Sequence, residues 1–355
     1  MAKAPVTLRD GRGQAVVLPW LDALFERLVE ARFAQTLAHA LLLSGPAGVG
    51  KDALAHALAD AWLCEAEGVQ ASERPCGRCR GCGLTAVGNH PDLHRLVPAE
   101  GKATISVDQI RELSAELALK PHAGGSRVAL ITPAEGMTVS AQNSLLKTLE
   151  EPPSGAVLVL ITHQLDALAP TIRSRCQQLS VAGPDPAQAQ AWLADQGVEP
   201  TASAEALQLA RQSPLAALQL VEDGFAEQAS SLAEALGQIA LGRAEPINVA
   251  GGWEKLDMQR ILAWWQGALH AIAREGLASG AQGAEEGPET ATSYRVLAAQ
   301  GARWVAPSDL FEFADRLAEA TLTLRGQANP RLLLEGLLID WARVTRPART
   351  RRKPT

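Results

Sequence analysis

Residues Leu41–Trp62, "LLLSGPAGVGKDALAHALADAW", decide the fold. An apolar run leads into a glycine-rich turn, and a stretch of Ala and Leu with helical spacing follows. Within it, Gly45 to Lys51 fits the phosphate-loop pattern, in which four residues separate two glycines and a lysine follows the second. The glycines let backbone N–H groups face phosphate oxygens, the helix N-terminus adds its dipole, and the lysine reaches the terminal phosphates. Gly45, Gly50 and Lys51 are therefore candidate nucleotide-site residues. The next position departs from the pattern. Where Ser or Thr places a hydroxyl on Mg²⁺, this chain has Asp52. A carboxylate can ligate Mg²⁺, but it also sets negative charge beside the β- and γ-phosphates, a cost of kilocalories in a partly desolvated cleft. Weak binding of ATP or ADP, or none, is the expectation.

Two further apolar runs, "RVALIT" at Arg127–Thr132 and "AVLVLIT" at Ala156–Thr162, are also followed by turns and helical patterns. Such runs are strands buried on both faces of a parallel sheet, and an α/β P-loop domain follows. ATP hydrolysis also needs acidic residues at the end of a second strand, to hold metal and to polarise the attacking water. The positions after the matching run are Thr132 and Pro133, which do neither. Glu135 comes later, where strand geometry is expected to aim it away. A site that does not turn over ATP is predicted. The rival is a self-sufficient P-loop ATPase with Asp52 on Mg²⁺ and Glu135 as base, and the Thr132-Pro133 pair speaks against it.

"CEAEGVQASERPCGRCRGC" holds Cys64, Cys76, Cys79 and Cys82, four of the five cysteines. Two overlapping C-x-x-C units with glycine at turn positions let thiolates converge, and Cys64, after the phosphate-loop helix, completes a four-sulfur set. Four closed ligands suit structural Zn²⁺ rather than a catalytic metal. Redox use of the thiols is the alternative. His90 reads as a turn residue, and Arg74, Arg78 and Arg80 are expected to soften the thiolate charge.

The chain has 355 residues, enough for two or three domains. Its N-terminus lacks the apolar core of a secretory signal, and no run approaches the roughly 18 apolar residues of a membrane span, so a soluble cytoplasmic protein is expected. A net charge of -6 argues against binding nucleic acid by bulk charge. The preponderance of Trp among the aromatics suggests no function. Strand signals end near residue 183, where "VAGPDPAQ" at Val181–Gln188 marks a linker. The expected domains are a P-loop domain over 1–183 with the cysteine module at 64–82, a small helical domain over 184–224 and a larger helical one over 225–345. A basic tail at 346–355 reads as a solvated terminus or a partner contact, and Glu275–Ser293 as a mobile loop.

"NSLLKTLEEPP" at Asn143–Pro153 and "TIRSRC" at Thr171–Cys176 resemble the clamp-loader branch of AAA+ proteins. With the cysteines inserted after the phosphate-loop helix, the chain is similar to the clamp-loader subunits of bacterial DNA polymerase III. The motor subunits tau and gamma of that machine keep an intact loop and an acidic pair, whereas this chain has Asp52, Thr132 and Pro133, as a non-motor subunit does. The resemblance implies a lid for the second domain and an oligomerising collar for the third. It implies that Arg175 is an arginine finger serving a neighbour's ATP, with Ser174 orienting the segment; the alternatives are a salt bridge at a helix end for Arg175, and Arg173 as the finger. Cys176 reads as a small buried apolar residue. Thr162 falls at the position that senses a γ-phosphate, and Leu215 replaces the motor subunits' nucleotide-contacting arginine. Implied partners are tau or gamma, the clamp-opening delta subunit, the sliding clamp and primer-template DNA. "SVDQ" at Ser106–Gln109 is a capping box whose helix, with Lys102, Arg111 and Lys120, either meets DNA phosphates or is an ordinary surface helix.

Overall fold

The computed structural model describes residues 8–122, 125–278, 293–294, 297–298, 305–324 and 329–345. The chain divides into two compact units, residues 1–188 with 213–216, and residues 189–212 with 217–355.

The first unit is built on a five-stranded parallel sheet in the order β2-β3-β4-β1-β5. The three apolar runs form its centre as β1 (Ala40–Ser44), β3 (Arg127–Ile131) and β4 (Ala156–Thr162), each buried throughout. β2 (Leu93–Leu96) and β5 (Gln177–Ser180) are the edges, and the sequence hides them. "LHRL" and "QQLS" have one face outside the core, and only Leu96 and Leu179 are buried, so no apolar run marks them. Register places Ser44 opposite both Thr162 and Ser180, which lines up the carboxyl ends of three strands. Ligands of open α/β sheets collect at such ends.

Helices α1 (Asp22–Phe33), α2 (Lys51–Trp62), α3 (Arg80–Ala86), α4 (Val107–Leu117), α5 (Val139–Glu150) and α6 (Pro170–Arg173) complete the unit. α4 and α5 bury Ile110, Leu113, Leu117, Leu145 and Leu149 in one cluster with Leu42, Ile131, Leu158 and Leu160 of the sheet. α4 opens on the capping box expected: the Gln109 N–H donates to Ser106 Oγ (3.3 Å), and the Ser106 N–H donates to Gln109 Oε1 (3.0 Å). We expect Ser106→Ala to cost about 0.5–2 kcal/mol, read as a lower midpoint in urea denaturation.

Among its described residues the second unit has helices and connecting turns but no strand. Its helices are α7 (Pro186–Asp195), α8 (Pro200–Leu209), α9 (Pro214–Glu222), α10 (Phe225–Ala240), α11 (Pro246–Trp253), α12 (Met258–Ala278), α13 (Pro307–Thr323) and α14 (Pro330–Thr345), with the first turns of α7 and α9 counted in the first unit. Trp265 packs on Trp253, Phe313 and Trp341 with ring centroids 6.2, 5.3 and 6.0 Å apart, and the Trp341 indole N–H donates to Leu236 O. Trp253, Trp264, Trp265 and Trp341 are core. α12 runs to Ala278, so the expected loop does not begin at Glu275; the Ala and Leu of "EGLA" prolong the helix. The rest of that stretch up to residue 292 and the tail at 346–355 lie outside the described residues. Among those described, no helix is long and apolar enough to cross a membrane.

Candidate nucleotide site and metal centre

The phosphate loop joins β1 to α2 as its spacing predicts, and it closes on itself. Lys51 is 2% exposed, and its ammonium donates to Gly45 O at 2.7 Å and Pro46 O at 2.5 Å. Burial pushes this amine down to about 8, against the pull of the nearby Asp52 and Glu135 carboxylates. Gly48, at φ +79°, lies so close to the start of α9 that a β-carbon there would stand 2.7 Å from the Ala216 methyl. The Leu215 N–H donates to Gly48 O (3.1 Å), and the Leu215 side chain is buried. Thr132 Oγ1 donates to Asp52 Oδ1 at 2.9 Å. The Lys51 ammonium and the Asp52 carboxylate, which would meet phosphate and Mg²⁺ in an open loop, thus each have a partner within the chain. Beside the loop a cleft of about 410 Å³ is lined by Trp20, Leu24, Val181, Pro184 and Gln188. The Trp20 indole N–H donates to Val49 O of the loop (2.9 Å), a role that sequence pattern did not reveal.

Glu135 corrects one expectation. It is not aimed away from the site. A short 3₁₀ turn, Ala134–Gly136, follows Pro133 and folds the carboxylate back, where its Oε1 accepts the His163 N–H (3.0 Å) and its charge acts on Lys51. His163 follows β4 directly; burial and the Lys51 charge lower its pKa, and no sequence motif marks it. Thr162 ends β4 fully buried, with Oγ1 accepting the Gln164 N–H (3.1 Å).

Arg175 lies between α6 and β5, just before the last strand. Its side chain is 35% exposed, with Nη2 2.6 Å from Glu150 Oε1 and Nη1 donating to Thr171 O (3.0 Å). The salt bridge at a helix end, held as an alternative, is present, and the guanidinium also reaches the surface. Arg173 pairs with Asp166 (3.2 Å), and Ser174 Oγ donates to Thr171 O (3.2 Å). Cys176 is buried, which raises its thiol to about 11 and leaves it an apolar packing residue.

Cys64, Cys76, Cys79 and Cys82 converge, with all four sulfurs within 4.8 Å of one another. The Cys76–Cys82 and Cys64–Cys79 sulfur pairs are 4.0 and 3.9 Å apart. A tetrahedron with Zn–S bonds of about 2.3 Å has edges of about 3.8 Å, so the set fits a four-thiolate zinc site. The backbone N–H groups of Cys76 and Cys82 point at Cys64 Sγ and Cys79 Sγ, which favours thiolates. Arg74 donates to Cys64 O and Ala66 O and stacks on Phe33, 4.5 Å from the ring centroid. His90 is a buried turn residue whose Nδ1 accepts the Asp92 N–H.

Residues 20–185 match the profile of the family described as "DNA polymerase III, delta subunit". A Pseudomonas aeruginosa protein called DNA polymerase III subunit delta' is 36% identical over 94% of this chain and 99% of its own. The chain belongs to the DNA polymerase III delta-prime family. The Escherichia coli K12 subunit of that name is 39% identical over 61% of this chain and 65% of its own. The tau subunit of Bacillus subtilis, 33% identical, reaches 44% of this chain and 27% of its own length. Among solved structures, a gamma subunit-related protein of Thermotoga maritima covers 92% of this chain and all of its own at 18% identity, with a TM-score of 0.44. This delta-prime chain combines an α/β P-loop unit, a four-cysteine cluster and a helical unit.

Proposed function

We propose that this chain is a non-hydrolysing clamp-loader subunit that lends Arg175 to the ATP site of an adjacent motor subunit during loading of the sliding clamp onto primed DNA. The observation that carries the reading is the contrast between the two sites. Lys51 is turned onto its own loop while the Arg175 guanidinium stands at the surface of the same unit. Asp52, held by Thr132, brings charge where Mg²⁺ and phosphates need a neutral hydroxyl, and Leu215 offers no cation. In this account residues 184–224 act as the lid and 225–345 as the collar that joins tau or gamma and delta. Zn²⁺ is structural, and Ser174 orients the finger. The α4 N-terminus, with Lys102, Arg111 and Lys120, faces primer-template phosphates. The protein works in the cytoplasm, at the replisome.

Glu135 favours a second reading, a self-sufficient ATPase, because its carboxylate is close enough to act on Lys51. Against it, one oxygen of that carboxylate is engaged by the His163 N–H. Asp52→Thr separates the two. Removing the charge is expected to tighten ATP binding roughly tenfold, measured by calorimetry, from a wild-type chain without turnover; turnover in the wild type that Asp52→Thr lowers would favour the second reading. The function itself is tested by reconstitution. Omitting this chain from a mixture of tau, delta, clamp and primed DNA is expected to abolish clamp loading and clamp-stimulated ATP turnover, and retention of both without it contradicts the proposal.

A further inference from the structure

We infer that Glu150 is a positioning residue for the Arg175 guanidinium, an assignment that rests on the reading of Arg175 as a finger acting in trans. Glu150 is the last residue of α5, where the helix dipole is negative and a carboxylate is disfavoured. Glu151 follows it, so two acids outnumber Lys147, the basic residue of the helix's last turn. Arg175 adds a cation from another segment, with Nη2 2.6 Å from Glu150 Oε1. The second tether, Nη1 to Thr171 O at 3.0 Å, fixes the guanidinium plane from the turn before it. Two anchors from separate elements set both the direction and the roll of a side chain that otherwise has four rotatable bonds.

These contacts use two of the five N–H donors that a guanidinium carries, and phosphate oxygens need the others. The Glu150 side chain is 51% exposed and the Arg175 side chain 35%, so the pair is accessible to a partner surface and weak as a source of stability. Its consequence is therefore expected in rate. An arginine already held in its working rotamer loses less conformational freedom on meeting the developing charge of a transferred phosphoryl group.

The test uses the assembled clamp loader with its motor subunits, clamp and primed DNA, and measures kcat and KM for ATP. Glu150→Ala is expected to lower kcat about two- to fivefold, the range a surface ion pair supports, with KM unchanged. Glu150→Asp is expected to recover part of the loss. Glu150→Ala is expected to have no further effect in an Arg175→Ala background. An unchanged or raised kcat, or an equal loss in both backgrounds, overturns the positioning role. If Arg175→Ala alone leaves kcat intact, the finger reading itself fails, and the Glu150 assignment with it; a loss with Arg175→Ala but none with Glu150→Ala sinks only the latter.

Discussion

Arg175→Ala is expected to lower the ATP turnover of the assembled, clamp-stimulated complex about a thousandfold at the site it serves. A guanidinium stabilises charge on the transferring phosphoryl group in a site from which water is largely excluded, where no solvent replaces it. The same substitution is expected to leave the chain's own melting temperature almost unchanged, because its pair with Glu150 is exposed on both sides and surface pairs contribute at most about 1 kcal/mol. That split between rate and stability separates a finger from a structural salt bridge, for which the loss would fall on stability and not on the neighbour's chemistry. Arg175→Lys is a useful companion. It keeps the charge but loses the fork, so it is expected to restore little. Single-turnover measurement of phosphate release reads the outcome without interference from slow product steps.

Metal removal is expected to have the second large effect. Cys82→Ser, or a strong chelator at neutral pH, is expected to destabilise the first unit by several kcal/mol, since structural zinc sites contribute folding energy directly. The damage should spread along a defined path. Gln14 Nε2 donates to Cys82 O at 2.9 Å, the Ala15 N–H donates to the buried Asp60 carboxylate at 2.8 Å, and Arg9 reaches Gly13 O and Thr85 O. The N-terminal segment is thus tied to the metal loop and to α2, the helix that follows the phosphate loop. Hydrogen exchange should accelerate across residues 8–16 and 64–86, while the tryptophan-centred core of the second unit keeps its protection. Acidification should mimic the chelator, because zinc holds thiolates and releases protons when it binds. Unaltered exchange in the metal-free chain would show that the cysteines pack as a hydrophobic turn without a metal.

Much of this was legible in the sequence, for reasons that differ between residues. β1, β3 and β4 are buried on both faces, so their apolar runs announce them; β2 and β5 are edges, and "LHRL" and "QQLS" do not. The capping box at Ser106 and the sulfur set are short-range patterns whose spacing carries the geometry. Glu135 escapes strand periodicity because a 3₁₀ turn, Ala134–Gly136, begins directly after Pro133. The closure of the loop by Lys51, and the approach of Ala216 to Gly48, depend on contacts between residues far apart in sequence, and no local pattern encodes them. The Glu150–Arg175 pair is of the same kind. Both residues stand in motifs that the sequence singled out, yet their meeting belongs to the packing of α5 beside α6.

If this chain's own nucleotide site is inert, steady-state ATP hydrolysis by the purified chain alone runs at the same rate as that of Lys51→Ala, the background. Turnover that depends on Lys51 would contradict an inert site, and would make Asp52 a working Mg²⁺ ligand with Glu135 as the base.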